Sequence, residues 1–288
     1  MSRPQVSVVV PFGGRPADAH GVLSHPTSLR LREGDELIVA DNSDEGAAGV
    51  APDLAGPVRV VRAGRERSAY HARNAGAAVA RNEWLLFMDA DCVASPELLH
   101  AFFARPIPDR SGAVAGQILG HSDQRSLAAR YARSRHLFDH SQGLIRAEDG
   151  GAAAGNLLVR RAAFAAVGGF TEGIRSGGDI DLCRRLRLAG WGLDFRPDAL
   201  VRHRHRDAVW SLMGAVARYG AGARWLNDRY PGSSARWPLA EGLVHALGDV
   251  ARLTARRDLE AAAFRALDGL GLVAHNIGYL MSNAAVSR

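Results

Sequence analysis

Three short apolar runs, two of them closing on polar or acidic residues, dominate the first third of the chain: QVSVVVPF at 5–12, DELIVADNS at 35–43 and EWLLFMDAD at 83–91. A fourth, VRVVRA, occupies 58–63. The runs are rich in Val, Ile and Leu, and turn residues bound them, so they read as buried strands. Between them, SAYHARNAGAAVARN at 68–82 is rich in Ala at helical spacing. SPELLHAFFA at 95–104 opens on Ser-Pro-Glu, a helix start. Strands alternating with helices confine the chain to the α/β class: a doubly wound, mostly parallel sheet flanked by helices.

The pattern loosens beyond residue 105. AVAGQILG (113–120) reads as a further strand, and QRSLAARYARSRHLF (124–138) as a helix. A glycine-rich stretch follows at 141–156. RRAAFAAVGGF (160–170) reads as a short helix closed by Gly168 and Gly169, and DIDLCRRLRLAG (179–190) as a helix ending at Gly190. WGLDFRPDALVRHRHR (191–206) gives two extended runs parted by Pro197, and the remainder is helical. The expected division is an α/β domain over 1–206 and a helical C-terminal extension over 207–288 packed on it. The apolar stripes of that extension serve either as packing surface or as a face that touches a membrane or partner.

Composition narrows the class. The 288 residues are 47% hydrophobic and 23% charged, as in ordinary soluble domains. The net charge is +6, and every basic residue is Arg. Arginine favours bidentate contact with phosphate and carboxylate. The arginines are scattered, and no aromatic-plus-basic platform accompanies them, so nucleic-acid binding is not expected. Two cysteines, Cys92 and Cys183, make neither a disulfide framework nor a zinc pattern. No stretch approaches the roughly 18 apolar residues of a spanning helix, and the N-terminus has no long apolar leader. The expected location is cytoplasmic, with peripheral contact at the inner face of the membrane left open.

The acidic residues at the strand ends carry the chemistry. Side chains two apart on a strand share a face, so Asp89 and Asp91 look into one crevice if the strand persists that far. Ligands bind at the exit end of strands in an open parallel sheet. Two carboxylates held together there repel unless a cation lies between them, and oxygen ligation suits Mn2+ or Mg2+. Asp-x-Asp alone also fits a turn or a helix cap. Asp41 likewise ends a strand, where it either accepts hydrogen bonds from a base or ribose or closes an Asx-turn with Asn42 and Ser43.

Six segments occur in order: VSVVVPF, LIVADNS, ARNAGAAVARNEWLLFMDADC, GNLLVRRAAFAAVGGF, GGDIDLCRRLRLAGW and RPDALVRHRHR. Together they resemble the inverting, nucleotide-sugar-dependent glycosyltransferases of family two with the GT-A fold, over residues 5–206. The resemblance implies that Pro11 and Phe12 line the nucleotide pocket and that Asp41 bonds the base. It places Arg73 and Asn74 near the nucleotide and diphosphate, and Asp89 at the ribose or metal. Asp91 and His203 would bind Mn2+ or Mg2+, while His205 lies beside them in the sequence. Asp179 would be the general base, and Asp181 a first-turn helix residue. The donor would be a nucleoside-diphosphate sugar, with UDP as the nucleotide, and the acceptor an unidentified hydroxyl compound. Glycine-rich residues 143–155 would form a lid over the donor. The resembling pattern has Glu where this chain has Gly178, which keeps a non-catalytic nucleotide-sugar-binding module as an alternative. A nucleotidyltransferase is the other, disfavoured because no Gly-rich, Lys-bearing triphosphate loop stands early in the chain.

Overall fold

The apolar runs become strands of one sheet. The computed structural model describes residues 3–15, 17, 19, 29–46, 58–137 and 150–288. Its strands are β1 (Val6–Phe12), β2 (Glu36–Asp41), β3 (Val58–Arg62), β4 (Trp84–Met88), β5 (Cys92–Ala94), β6 (Ser111–Gly120), β7 (Asn156–Arg160) and β8 (Gly192–His203). The helices are α1 (Ala69–Val79), α2 (Leu98–Phe102), α3 (Leu127–Ser134), α4 (Arg161–Ala166), α5 (Gly178–Leu188), α6 (Val209–Arg229), α7 (Leu239–Ala255) and α8 (Leu259–Tyr279). Strand order is β3-β2-β1-β4-β7-β6-β8-β5. Strands β3, β2, β1 and β4 run parallel, as do β6 and β8, while β7 lies antiparallel to both β4 and β6.

This order makes β1 a switch point, because the chain moves outward to β2 and β3 on one side and to β4 on the other. A crevice opens at the carboxyl ends of strands where the order reverses in this way. Asp41 closes β2 opposite Phe12, and Asp89 follows the last residue of β4. Topology alone therefore brings these two carboxylates to one edge of the sheet.

Both sheet faces are covered, which accounts for runs that are apolar without alternation. Val6, Val8, Val10 and Phe12 join Trp84, Leu86, Met88 and the α2 residues Leu98, Leu99 and Phe102 in one core. On the opposite face, Val9, Ile38 and Ala40 meet α1 at Gly76. Phe87 on that face packs with Phe164 at 5.2 Å and Phe170 at 5.0 Å between ring centroids.

Two strand expectations need correction. The run 83–91 is a strand only to Met88. Asp89 N then donates to Gly155 O at 3.3 Å, and Cys92 N donates to Asp89 O at 3.0 Å, closing a turn. Asp89 and Asp91 therefore do not share a strand face. The two runs around Pro197 form one strand, whose register against β6 breaks between Arg196 and Leu200. Proline has no N–H for the ladder. The break is bridged instead by the Asn156 side-chain amide, which donates to Ala199 O at 2.8 Å and Gln117 O at 3.0 Å. The glycines after α4 behave as expected: Gly168 and Gly169 take φ of 75° and 72°.

The chain divides into two compact units. One holds residues 1–121, 136–204 and 285–288 and contains the sheet. Its last residues return to the carboxyl end of β2, where the Arg288 guanidinium donates to Asn42 O at 2.8 Å and Ser43 O at 2.9 Å. The other holds residues 122–135 and 205–284 and is helical. In it, Asp268 on α8 receives Arg135 through two bonds of 2.8 and 2.6 Å and the Tyr131 hydroxyl at 3.0 Å. No described helix is long and apolar enough to cross a membrane.

Gly76 sets how closely α1 approaches the sheet, since a Cβ there would lie 2.5 Å from Val9 Cγ1. Alanine gains about 1 kcal/mol in helix propensity over glycine. Overpacking a core typically costs about 1–3 kcal/mol, so the clash should win. Gly76→Ala is expected to lower the denaturant midpoint; an unchanged or raised midpoint would mean that α1 rides further out.

Candidate active site

The carboxyl end of β2 is occupied by a buried carboxylate, Asp41, 1% exposed. Its Oδ1 accepts from Ser43 N at 2.9 Å and from Ser43 Oγ at 2.6 Å, so the Asx-turn is formed. The Arg62 guanidinium stands 3.5 Å from the same oxygen. Nearby, Asn42 N donates to Phe12 O at 2.6 Å, while the Asn42 side chain binds Ala63 O and Glu66 O. Phe12 itself is a core residue, with Pro11 partly exposed beside it. What these residues present at the sheet edge is a well-tied turn.

The Asp-x-Asp stretch converges on His203 by cross-strand pairing. Strand β5 pairs antiparallel with β8, Cys92 opposite His203, so the imidazole arrives beside the residue just before Cys92. His203 Nε2 lies 3.3 Å from Asp91 Oδ1. Donor atoms of Asp89, Asp91 and His203 all lie within 4.8 Å of one another. Two carboxylate oxygens and one imidazole nitrogen at that spacing fit a divalent ion such as Mn2+. A second group at the same spacing, Glu66, His71 and Glu172, is a different case. Arg65 pairs with Glu172, and both Glu66 oxygens accept from Gly173 N, so cation and amides already satisfy it.

Arg73 supplies the local counter-charge. The residue is 6% exposed, and its Nη2 donates to Asp89 Oδ1 at 2.5 Å. Its guanidinium lies 5.6 Å from the ring centroids of both Tyr70 and Phe170, a cation–π arrangement. Asn74, next to it, is turned elsewhere. Its amide donates to Phe170 O and Glu172 Oε1 and accepts from Phe170 N, all at 2.9 Å, holding the loop after α4.

Asp179 and Asp181 lie in the first turn of α5, where the helix dipole favours negative charge. Asp181 is fully buried and structural, accepting from Thr171 Oγ1 at 2.7 Å and Arg185 Nε at 2.8 Å. Asp179 Oδ1 accepts from Ile180 N at 3.1 Å and lies 3.4 Å from the Tyr70 hydroxyl. Tyr70 and Arg73 are three apart on α1 and face the same way, one reaching Asp179 and the other Asp89. Sequence reasoning missed Tyr70; its helical spacing from Arg73 was the signal available. His205, paired with His203 in the sequence reading, belongs to the helical unit, where its backbone exchanges 2.7 Å bonds with the Gln124 side chain.

Of the stretch expected as a lid, residues 143–149 lie outside the described residues. Residues 150–155 are mostly buried backbone. Ala152 N donates to Cys183 Sγ at 3.4 Å, and a Cβ at Gly155 would lie 3.0 Å from Asp89 Oδ2. With only glycine and alanine over 150–155, the backbone presses against Asp89 and α5, so this half is a wall of the site rather than a cover.

Residues 7–168 match the family model "Glycosyl transferase family 2". A pre-mycofactocin glycosyltransferase of Mycobacterium tuberculosis is 29% identical over 253 residues, which is 85% of this chain and 52% of the relative. The chain thus spans about half the length of the curated relative it matches. Among solved structures, a mannosyltransferase from Pyrobaculum calidifontis in complex with GDP-mannose and Mn2+ superposes with TM-score 0.68 at 17% identity, over 97% of this chain and 88% of that one. GalNAc-T7 with UDP, GalNAc and Mn2+ superposes with TM-score 0.56 at 18% identity, over 89% of this chain and 54% of that one. These likenesses share the GT-A architecture.

Both cysteines border this site and are inert by environment. Burial, with the charges of Asp89 and Asp91 behind it, pushes the Cys92 thiol well above its ordinary range. Burial pushes Cys183 up to about 11. Only thiolate reacts, so at about pH 8 both should resist aromatic disulfide reagents in the native protein and react once guanidinium unfolds it. Rapid native labelling of Cys92 would show that the turn at Asp89–Cys92 is open.

Proposed function

Because the chain belongs to glycosyl transferase family 2, we propose that it transfers a sugar from a nucleoside-diphosphate donor, with UDP as the nucleotide, to an acceptor hydroxyl with inversion at the anomeric carbon. One observation carries the reading. Asp89 and Asp91 meet His203, remote from them in sequence, within 4.8 Å beside a buried arginine at the carboxyl edge of the sheet. Arg73 bonds one Asp89 oxygen, and the donor atoms of Asp89, Asp91 and His203 stand at the spacing a divalent cation takes.

In this reading Asp91 and His203 hold the divalent cation, Mn2+ or Mg2+, with Asp89 at the ribose or the metal. When bound, the ion would act as a Lewis acid for the departing diphosphate. Asp41 and the turn behind Pro11 and Phe12 receive the base. Arg73 and Asn74 are read as the diphosphate end of the donor site. For Arg73 this means sharing its guanidinium between Asp89 and phosphate oxygens, which suits a planar fork of donors. Asn74 acts by holding the 170–172 loop in place. Asp179 accepts the proton of the acceptor hydroxyl as that oxygen attacks in line, so no covalent sugar–enzyme intermediate forms. In this reading the sheet-bearing unit, residues 1–121, 136–204 and 285–288, carries the chemistry in place of the expected 1–206. The acceptor stays undefined by chemistry alone.

Isothermal calorimetry with UDP, and with GDP as the comparison, tests the donor half. UDP is expected to bind more tightly with Mn2+ than with chelator, and Asp91→Ala should remove that increment. Binding of neither nucleotide, or a metal increment that survives Asp91→Ala, would overturn the metal and donor assignment. A preference for GDP would overturn the base alone. For the chemistry, Asp179→Asn is expected to cut turnover by about 10²–10⁴-fold, the range of a lost general base, with nucleotide Kd little changed. Undiminished turnover in that variant would remove Asp179 from the mechanism.

A further inference from the structure

Helix α5 starts on two glycines, and its N-cap, Gly177, has φ 85° and no side-chain cap bond. The Tyr70 hydroxyl, arriving from another helix, stands at this first turn and donates to Asp179 Oδ1 at 3.4 Å.

The ring reaches this position only because residue 178 has no side chain. A Cβ there would stand 2.9, 2.9 and 3.0 Å from three Tyr70 ring carbons. The ring has no room to retreat. Tyr70 is 6% exposed and stacks on Phe170 with centroids 5.6 Å apart, the Arg73 guanidinium beside it. Burial first, and the Asp179 charge second, hold its hydroxyl protonated far above neutral pH. The charged and titratable groups around the pair are Arg73 from α1 and Asp179 and Cys183 from α5.

We infer that Tyr70 is the positioning residue for Asp179, orienting its carboxylate through a hydroxyl bond, and that Gly178 stands where it does to admit the Tyr70 ring. This rests on the reading of Asp179 as general base. It also turns the departure at position 178 from a sign of lost function into one half of a fitted pair.

Two cycles on the full chain test it. In the stability cycle, Gly178→Ala is expected to lower Tm, and most of that loss should vanish in a Tyr70→Ala background, where the ring is gone. Equal losses in both backgrounds would overturn the pairing, and this arm needs no substrate. In the kinetic cycle, donor turnover is followed with Mn2+ on UDP-glucose and GDP-mannose, water serving as acceptor. Tyr70→Phe keeps the ring and is expected to lower kcat by ~10-fold, the order of one hydrogen bond to a charged group, with donor KM changed less than about twofold. The same substitution should have little further effect in an Asp179→Asn background. A Tyr70→Phe enzyme with full kcat, or an undiminished loss beside Asp179→Asn, would overturn the positioning role while leaving the base assignment standing. If Asp179→Asn itself keeps full turnover, or the wild-type chain turns over neither donor, the base reading fails and takes this inference with it.

Discussion

Everything at the sheet edge depends on one buried cation. Arg73 is withdrawn from water, and a guanidinium so placed is tolerated only when a carboxylate and further polar or π contacts meet it. Asp89 meets it on one side and the rings of Tyr70 and Phe170 on the other. The arrangement sets one buried positive charge directly against the Asp89 carboxylate. It holds only while α1 lies tight on the sheet, and Gly76 permits that approach. Helix α1 thereby acts as the frame of the site: Tyr70 reaches α5, Arg73 reaches the turn after β4, and Asn74 clamps the loop after α4.

The second dependency is a three-residue strand. Strand β5 is too short to be stable alone, yet its pairing with β8 delivers His203 to Asp91 across a gap of more than a hundred residues. Strand β8 in turn must jump its register around Pro197, and the buried Asn156 amide bridges the jump. A polar side chain with no chemistry of its own thus supports the placement of His203 several residues away. Two units of backbone geometry, one turn and one register break, decide where three donor atoms meet.

Much of this was legible from residues alone, and the failures are instructive. Uniformly apolar runs announced β1, β2 and β4 because sheets covered on both faces select against alternation. Gly168, Gly169 and Gly190 marked helix ends because positive φ favours glycine. The extent of the β4 run was misjudged, since nothing local ends it. Its last amide is taken by Gly155 O, a partner some sixty positions on. The glycine-rich stretch suggested a cover, but residues 150–155 became a wall, because absent or single-methyl side chains allow close packing as readily as motion. Tyr70 was not singled out in the sequence, because what distinguishes it is a neighbour more than a hundred residues away.

By itself, then, the order of residues determined the class of sheet, the acidic character of its carboxyl edge and the family to which the chain belongs. The first two follow from periodicity and local composition, which are written along the chain, and the family from the ordered motifs and the family model they match. Only the tertiary structure decided that Asp91 finds His203 rather than a strand-mate, that Asn74 faces a loop, and that Gly178 makes room for a tyrosine. Such facts depend on distances between residues remote in sequence, and those distances are set by packing, which no local window contains.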